Sequence, residues 1–489
     1  MHVSIFNDVL GPVMRGPSSS HCAAALRIGR LARDLMDGRI RRVLVEFDRA
    51  GSLPTTHASQ GSDMGLFGGL LGWDAADERL PDSAAALKDA GIDLRIATID
   101  VGDPHPNTYR LTLDNDVESH ILHAVSTGGG MIEVIRIDGH PVSLFGDRNV
   151  TLRWSETGEL STLLDTALPA DARTRPLRPV LSVLTRPDTD IPFHTADGML
   201  RHDAGRGTPL WKLAVAYESV RGGLCEDEVL ERSRALIRIL RRSIAQGISG
   251  TRYDDRILGH QSGAFAARMG AGTLLGGGPL NRVVLYVTAL MEVKSAMGVI
   301  VAAPTAGACA ALPAAVIALA EETGQDEDAM AKAFLASGLI GVFIATHWSF
   351  AAEVGGCQAE GGSAACMAAA ALVQLGGGTL GQSLAAASMA LQNMLGLICD
   401  PIANRVEAPC LGKNVMAAAN ALSCADMALS GYDPLIPLDE VIETARRVSA
   451  QMPRELRCTA LGGLSSTPTS RAIEERLLQL PRRPARKTP

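Results

Sequence analysis

Aromatic side chains are scarce in this chain: Phe, Tyr and Trp together make up 4% of 489 residues. A core of ordinary size must then be filled by aliphatic residues, and the hydrophobic fraction of 46% is carried mainly by Ala, Val, Leu and Ile. A net positive charge is also lacking. With a net charge of −7 there is no electrostatic footprint for nucleic acid, and the one basic run, PRRPARK at 481–487, reads as a solvated tail. The opening MHVSIFNDVLGP has no charged segment leading into an apolar stretch and a small-residue cleavage site, so no secretory signal is expected. Neither a zinc-type CxxC…CxxC pattern nor a ferredoxin-type cysteine run occurs. The nine cysteines are an odd number in a long chain, which argues against a secreted disulfide framework and for a reducing cytoplasm. The uncharged stretch 297–320 is long enough to cross a bilayer, but Pro304, Pro313 and the loop-like APTAGA (303–308) interrupt it. It is read as a buried loop and helix, and no membrane span is expected.

What the chain does have is length and glycine. At 489 residues it exceeds what one core usually holds, so two domains are expected. Fifty glycines among long alanine stretches point to helices packed closely through small side chains. The β-branched, apolar runs at 41–48, 94–101 and 131–137 read as strands. Segment 22–38 reads as a helix with Ala25, Leu26, Ile28, Leu31 and Leu35 on one face. An α+β domain is thus expected over 1–152. The Thr-, Asp-, Arg- and Pro-rich stretch 153–195 reads as a linker, and 196–489 as an all-α, Ala/Gly-rich helical domain. Within it, 226–247 and 326–347 have helical spacing, Gly-rich breaks fall at 275–280 and 375–381, and the low charge implies a central helix sheathed by others.

Three cysteines stand out by their surroundings. Cys357 lies in EVGGCQAEGGSAAC, while Cys399 and Cys410 lie in GLICDPIANRVEAPCLGKN with ten residues between them. Three thiolates can hold a [4Fe-4S] cluster and leave one iron open as a Lewis acid. Read bare, the same residues are equally small buried hydrophobes, as Cys225, Cys309, Cys366 and Cys424 are taken to be. In GPSSSH (16–21), Ser18, Ser19 and Ser20 precede a helix, where hydroxyls and first-turn amides suit either a helix cap or a carboxylate. In HPNT (105–108), His105 and Asn107 read either as turn chemistry or as a proton-moving histidine with a hydrogen-bonding neighbour. Thr305, Ala306 and Gly307 form a turn ahead of a helix, a candidate anion nest.

Together with LGGLSSTPT (461–469), these blocks resemble the iron-sulfur-dependent L-serine dehydratases (L-serine ammonia-lyases) in their fused, single-chain form, in order from about residue 5 to about residue 475. The resemblance implies a [4Fe-4S] cluster on Cys357, Cys399 and Cys410, no pyridoxal phosphate, a small-molecule substrate, a homodimer, and loss of water from L-serine to give pyruvate and ammonia. It places His21 and His105 in the substrate site with Ser18, Ser19, Ser20, Asn107, Thr305, Ala306 and Gly307, and makes His21, His105 or His57 the catalytic base that removes the proton from the carbon next to the hydroxyl-bearing one. Departures are specific. Where relatives carry a candidate basic histidine this chain has Gln60, with His57 three residues earlier in the same block; Gly61, Ser62 and Asp63 follow the family pattern. RILGHQSG (256–263) replaces a Gly-Gly-Asp segment, and Cys22 replaces a Thr. Cys458 stands where relatives more often have Glu; it is either a possible fourth ligand that covers the open iron or a packing substitution. The alternative readings are a related dehydratase of another β-hydroxy acid such as a hydroxymethyl dicarboxylic acid, suggested by Gln60 and His260, a non-catalytic cluster-binding sensor, and a membrane transporter.

Overall fold

The computed structural model describes residues 2–165, 173–186 and 189–479, which form two compact units: 18–185, and 2–17 with 186–479. The basic run 481–487 and part of the Pro- and Arg-rich stretch near 170 lie outside the described residues.

The unit 18–185 is built on a six-stranded sheet in the order Asp93–Ile99, Arg42–Asp48, Thr108–Asp114, Ser119–Gly128, Met131–Ile137, His140–Leu144. The first pair is parallel and the rest antiparallel. A parallel pair needs a crossover, and the short helices Leu53–Thr56, Ser62–Leu70 and Ser83–Asp89 supply it. Burial alternates along the strands: Val43, Val45 and Phe47, then Tyr109, Leu111 and Leu113, all face the core. Against that core packs helix Ala24–Leu35, whose Ala25, Leu26, Ile28, Leu31 and Leu35 are buried as its spacing requires.

This helix and Ser62–Leu70 meet backbone to backbone. A Cβ on Gly65 would sit 2.0 Å from the Cys22 carbonyl oxygen, and one on Gly69 would sit 2.1 Å from that of Leu26. Alanine is the better helix former by about 1 kcal/mol, so Gly65→Ala isolates the packing. It is expected to destabilise the protein by about 1–3 kcal/mol, as overpacking does, and to lower the urea midpoint. An unchanged or raised midpoint would contradict the close approach.

The second unit is helical. Ser363–Leu375 is its central helix, buried along nearly its whole length and packed by Ala311–Glu322, Glu327–His347, Leu380–Gln392 and Cys410–Leu429. Asp326 caps Glu327–His347 by accepting from the Ala329 amide at 2.9 Å. That helix is long and apolar enough to cross a membrane, with 78% of its apolar window buried within the protein. The stretch 297–320 is a two-residue strand, a loop and the start of helix Ala311–Glu322. An α+β part followed by a helical part is therefore the architecture, as the sequence pattern indicates.

The divisions differ from those read in the sequence. Residues 2–17 belong with the helices: the buried Glu218 carboxylate accepts from the Ser4 hydroxyl (2.6 Å) and the Ile5 amide (2.8 Å). Val13–Met14 also pairs with Ile300–Val301. Nor is 153–195 simply a connection, because Leu160–Leu164 and Thr174–Leu177 flank Val150–Trp154 in a three-stranded sheet. The boundary falls after Thr185.

Candidate active site

In the unit 18–185 the serine block forms a π-type turn, Ser19–Ala23, of the kind often found at functional sites. Ser18 enters it in extended conformation and does not cap it. Its hydroxyl instead lies 3.1 Å from His21 Nδ1 and 3.3 Å from Ser20 Oγ. His21 is wholly buried, and its Nε2 lies 2.8 Å from Thr56 Oγ1. The Thr56 hydroxyl proton is already directed at the Ser52 carbonyl (2.8 Å). Nε2 must then be the donor, and Nδ1 accepts from serine. With both nitrogens engaged, His21 holds the Ser18 hydroxyl and has no lone pair left over in this arrangement.

The HPNT loop is tied to the loop after strand Arg42–Asp48. The Ser52 amide donates to the Pro106 carbonyl (2.9 Å), and the Ser52 hydroxyl donates to Asn107 Oδ1. Gly51 permits the approach, since a Cβ there would meet the Pro106 oxygen at 2.7 Å. The Asn107 amide donates to His105 Nδ1 (3.2 Å), so the neutral ring of the half-buried His105 carries its proton on Nε2 and presents a donor. Asn107 is wholly buried, and its Nδ2 has no hydrogen-bond partner among the described residues. Such a leftover donor is unfavourable unless an acceptor reaches it.

His57 is arranged differently. Its Nδ1 is 2.7 Å from Asp63 Oδ1, both side chains being about a quarter exposed, and its ring packs on Phe47. The loop closes on the His57 carbonyl through the Ser62 and Asp63 amides, helped by Gly61 at φ 93°. A carboxylate on Nδ1 fixes the tautomer and ring orientation and leaves Nε2 as the proton acceptor. Gln60 is wholly buried. Among these three histidines, His57 is the one whose carboxylate partner on Nδ1 leaves Nε2 as an acceptor.

In the helical unit three thiols gather from three segments. Cys357, Cys399 and Cys458 form one buried cluster with Ala352, and the Cys399 thiol is hydrogen-bonded to both other cysteines, which together with burial pushes its pKa well up. The segments are stitched by backbone. The Gln358 amide donates to Leu397 (2.9 Å), that of Cys399 to Leu456 (2.9 Å), and that of Cys458 to Cys399 (3.4 Å). Cys410 opens helix Cys410–Leu429, and burial raises its thiol too, while Lys294 and Lys413 act against that rise. Lys413 Nζ donates to Cys357 Sγ (3.7 Å), the Ile398 carbonyl (2.7 Å) and Asp400 (2.6 Å). Burial disfavours its charge, but Cys357 and Asp400 outweigh that and keep it protonated. Asp400 also accepts from the Leu464 amide (3.0 Å), so the LGGLSSTPT block holds Asp400, and through it Lys413.

Asn414 joins the APTAGA loop to Cys410, since its Nδ2 donates to the carbonyls of Gly307 and Cys410 (both 2.8 Å). Thr305, Ala306 and Gly307 are thus in the cysteine-bearing unit, and the Thr305 hydroxyl is hydrogen-bonded to Glu360. Sequence reading missed Glu360. Its signal was its place three residues after Cys357 in the same Gly-rich block. Cys225, expected in packing, is exposed because it is the N-cap of helix Glu226–Ser249. Cys309, Cys366 and Cys424 are buried. Among the described residues no three His, Cys, Asp or Glu side chains are arranged to hold a single metal ion.

Comparison with known proteins bears on the whole chain. Residues 201–465 match the family model for the serine dehydratase alpha chain. An L-serine dehydratase of Streptomyces coelicolor is 30% identical over 477 residues, covering 95% of this chain and 99% of that protein. In Bacillus subtilis the two parts are matched separately. A probable L-serine dehydratase alpha chain is 37% identical over 52% of this chain and 84% of its own length, and a probable beta chain is 39% identical over 30% and 66%. This chain therefore belongs to the L-serine dehydratase family, as a lyase that carries both parts on one polypeptide.

Proposed function

We propose that the protein removes water from L-serine to give pyruvate and ammonia, using a [4Fe-4S] cluster held by Cys357, Cys399 and Cys410. The observation that carries the substrate is the match, over nearly the full length of both chains, to the Streptomyces coelicolor L-serine dehydratase. The donor set supports the cluster. Thiolates are the ligands such clusters take, and each binds a different iron, so the lack of a single-ion site does not count against the cysteines. The Lys413 ammonium donates to Cys357 Sγ, and Cys410 stands at the start of helix Cys410–Leu429, so positive groups face two of the three sulfurs. Protons leave raised thiols when metal binds.

When bound, the cluster supplies a Lewis-acidic iron that stabilises charge on the departing hydroxyl oxygen. The chain's own groups do the rest. His57, oriented by Asp63, accepts the proton from the α-carbon at Nε2. The Asn107 amide, whose Nδ2 has no partner among the described residues, donates a hydrogen bond to a carboxylate oxygen, and Ser18, whose hydroxyl proton goes to His21, lines the site. Aminoacrylate released by the elimination becomes an imine and hydrolyses to pyruvate and ammonia. Anaerobic purification with iron and sulfide analysis, followed by assays on L-serine, L-threonine and hydroxymethyl acids, tests the reading. Pyruvate from serine by iron-replete protein is expected; iron-replete protein inert to serine would refute it.

A further inference from the structure

We propose that Glu360 is the acid that delivers a proton to the departing hydroxyl group, a role that rests on the dehydratase reading above. Loss of hydroxide from carbon needs a proton at oxygen, and a base for the α-carbon does not supply it. Several carboxylates in the helical unit are already occupied by fixed donors. Glu292 takes the amides of Gln261 and Ser262 and the Ser262 hydroxyl. Glu407 takes the amides of Ile257 and Leu258, Glu218 takes Ser4 and Ile5, and Asp400 takes Lys413 and Leu464. Glu360 is hydrogen-bonded to the Thr305 hydroxyl, which also accepts from the Ala308 amide at 3.1 Å. That bond orients the carboxyl, and the residue keeps part of its surface accessible.

The fold brings this carboxyl to the APTAGA loop by design of the backbone. A Cβ on Gly307 would stand 2.7 and 2.8 Å from the two Glu360 oxygens, so only glycine lets the carboxyl lie there. The π-type turn Gln358–Gly362 that carries Glu360 begins at Cys357, which places the acid beside the cysteine-bearing segment. Glu360 keeps part of its surface accessible, yet its surroundings are dense: burial raises its pKa to about 7, Glu353 adds to the rise, and Thr305, Lys294 and Lys413 oppose it. Cys309 and Cys410 are the other titratable groups that feel its charge. A carboxyl balanced near neutrality suits proton transfer, whereas a firmly ionised one would only bind.

In the step, the Glu360 O–H proton passes to the serine hydroxyl oxygen as the Cβ–O bond breaks and its electron pair stays on oxygen, so water leaves. The Cα–H electron pair becomes the Cα=Cβ bond, the α-proton goes to the base, and solvent reprotonates Glu360.

The test is the pH dependence of the anaerobically purified holoenzyme. For wild type, kcat should fall as pH rises through about 7, because the required form is the protonated one. Glu360→Gln should lower kcat about a hundredfold or more, keep KM for serine within about threefold, keep wild-type iron and sulfide, and abolish that limb. Thr305→Val removes the donor that favours the carboxylate and should move the limb to higher pH. A Glu360→Gln enzyme with near-normal kcat, a raised KM at unchanged kcat, or a retained limb overturns the proposal, as does an equivalent loss of the limb only in Glu353→Gln. One measurement needs no turnover: a protonated-carboxyl infrared band in wild type that fades between about pH 6 and 8 and is missing from Glu360→Gln supports the assignment, and a band common to both overturns it. Wild type that leaves serine untouched would sink the dehydratase reading; a serine-active wild type with an indifferent Glu360→Gln sinks this one alone.

Discussion

Cys399→Ser is expected to strip the protein of its iron and of its activity together. Cys399 stands between Cys357 and Cys458 with its thiol hydrogen-bonded to both, and its backbone is fixed by Leu456. Loss of a thiolate at this point removes a ligand without freeing space for another. Cys357→Ser and Cys410→Ser should behave alike, since the proposed set has no ligand to spare. Lewis-acid assistance is worth several kcal/mol of charge stabilisation, so turnover should fall by about a thousandfold or more in each. Brown absorbance, iron and sulfide should fall in parallel. Cys458→Ser is the control: three ligands suffice, so it should retain iron, and any change should appear in the spectrum of the bound cluster. Full iron content in all three single variants of Cys357, Cys399 and Cys410 would defeat the assignment, and loss of iron in Cys458→Ser alone would transfer it.

Much of the fold was legible because the signals were local. The strand runs near 42, 94 and 131 are β-branched and short, and helix Ala24–Leu35 has an unbroken apolar face, so each appears within a few residues of its expected position. What escaped depends on distant partners. Nothing in Ser4 or Ile5 announces a buried carboxylate at Glu218, more than two hundred residues away, and the short strands after Trp154 sit among turn-forming residues that mask their alternation. The candidate site divides in the same way. Cysteines in distinctive blocks could be picked out singly, but their proximity could not, nor could the approach of Lys413 to Cys357. The histidines looked equivalent as letters. They separate only through hydrogen bonds: the Thr56 bond uses Nε2 of His21, the Asn107 amide uses Nδ1 of His105, and Asp63 turns His57 into a proton acceptor.

That separation yields the second large effect. His57→Ala should lower kcat by about a hundred- to ten-thousandfold, the range for loss of a general base, while iron and sulfide stay at the wild-type level. Asp63→Asn should cause a smaller loss, because the ring remains but its tautomer and orientation are no longer imposed. His21→Gln should act through Ser18 and so raise KM more than it lowers kcat. Gln60 is one of several positions at which the sequence departs from the pattern it resembles. Unlike Asn107, whose Nδ2 has no partner among the described residues, Gln60 is wholly buried and engaged within the protein, which leaves it poorly placed to read an extra carboxylate and favours serine over a hydroxymethyl dicarboxylic acid as substrate. It also means that a histidine introduced at 60 would be enclosed and disfavoured in its charged form. The double variant His57→Ala/Gln60→His should therefore remain as inactive as His57→Ala. Pyruvate release from L-serine, measured anaerobically for wild type, the single variants and the double variant, discriminates among these outcomes. Recovery of activity in the double variant would move the base to position 60, and robust turnover by His57→Ala would remove it from this loop altogether.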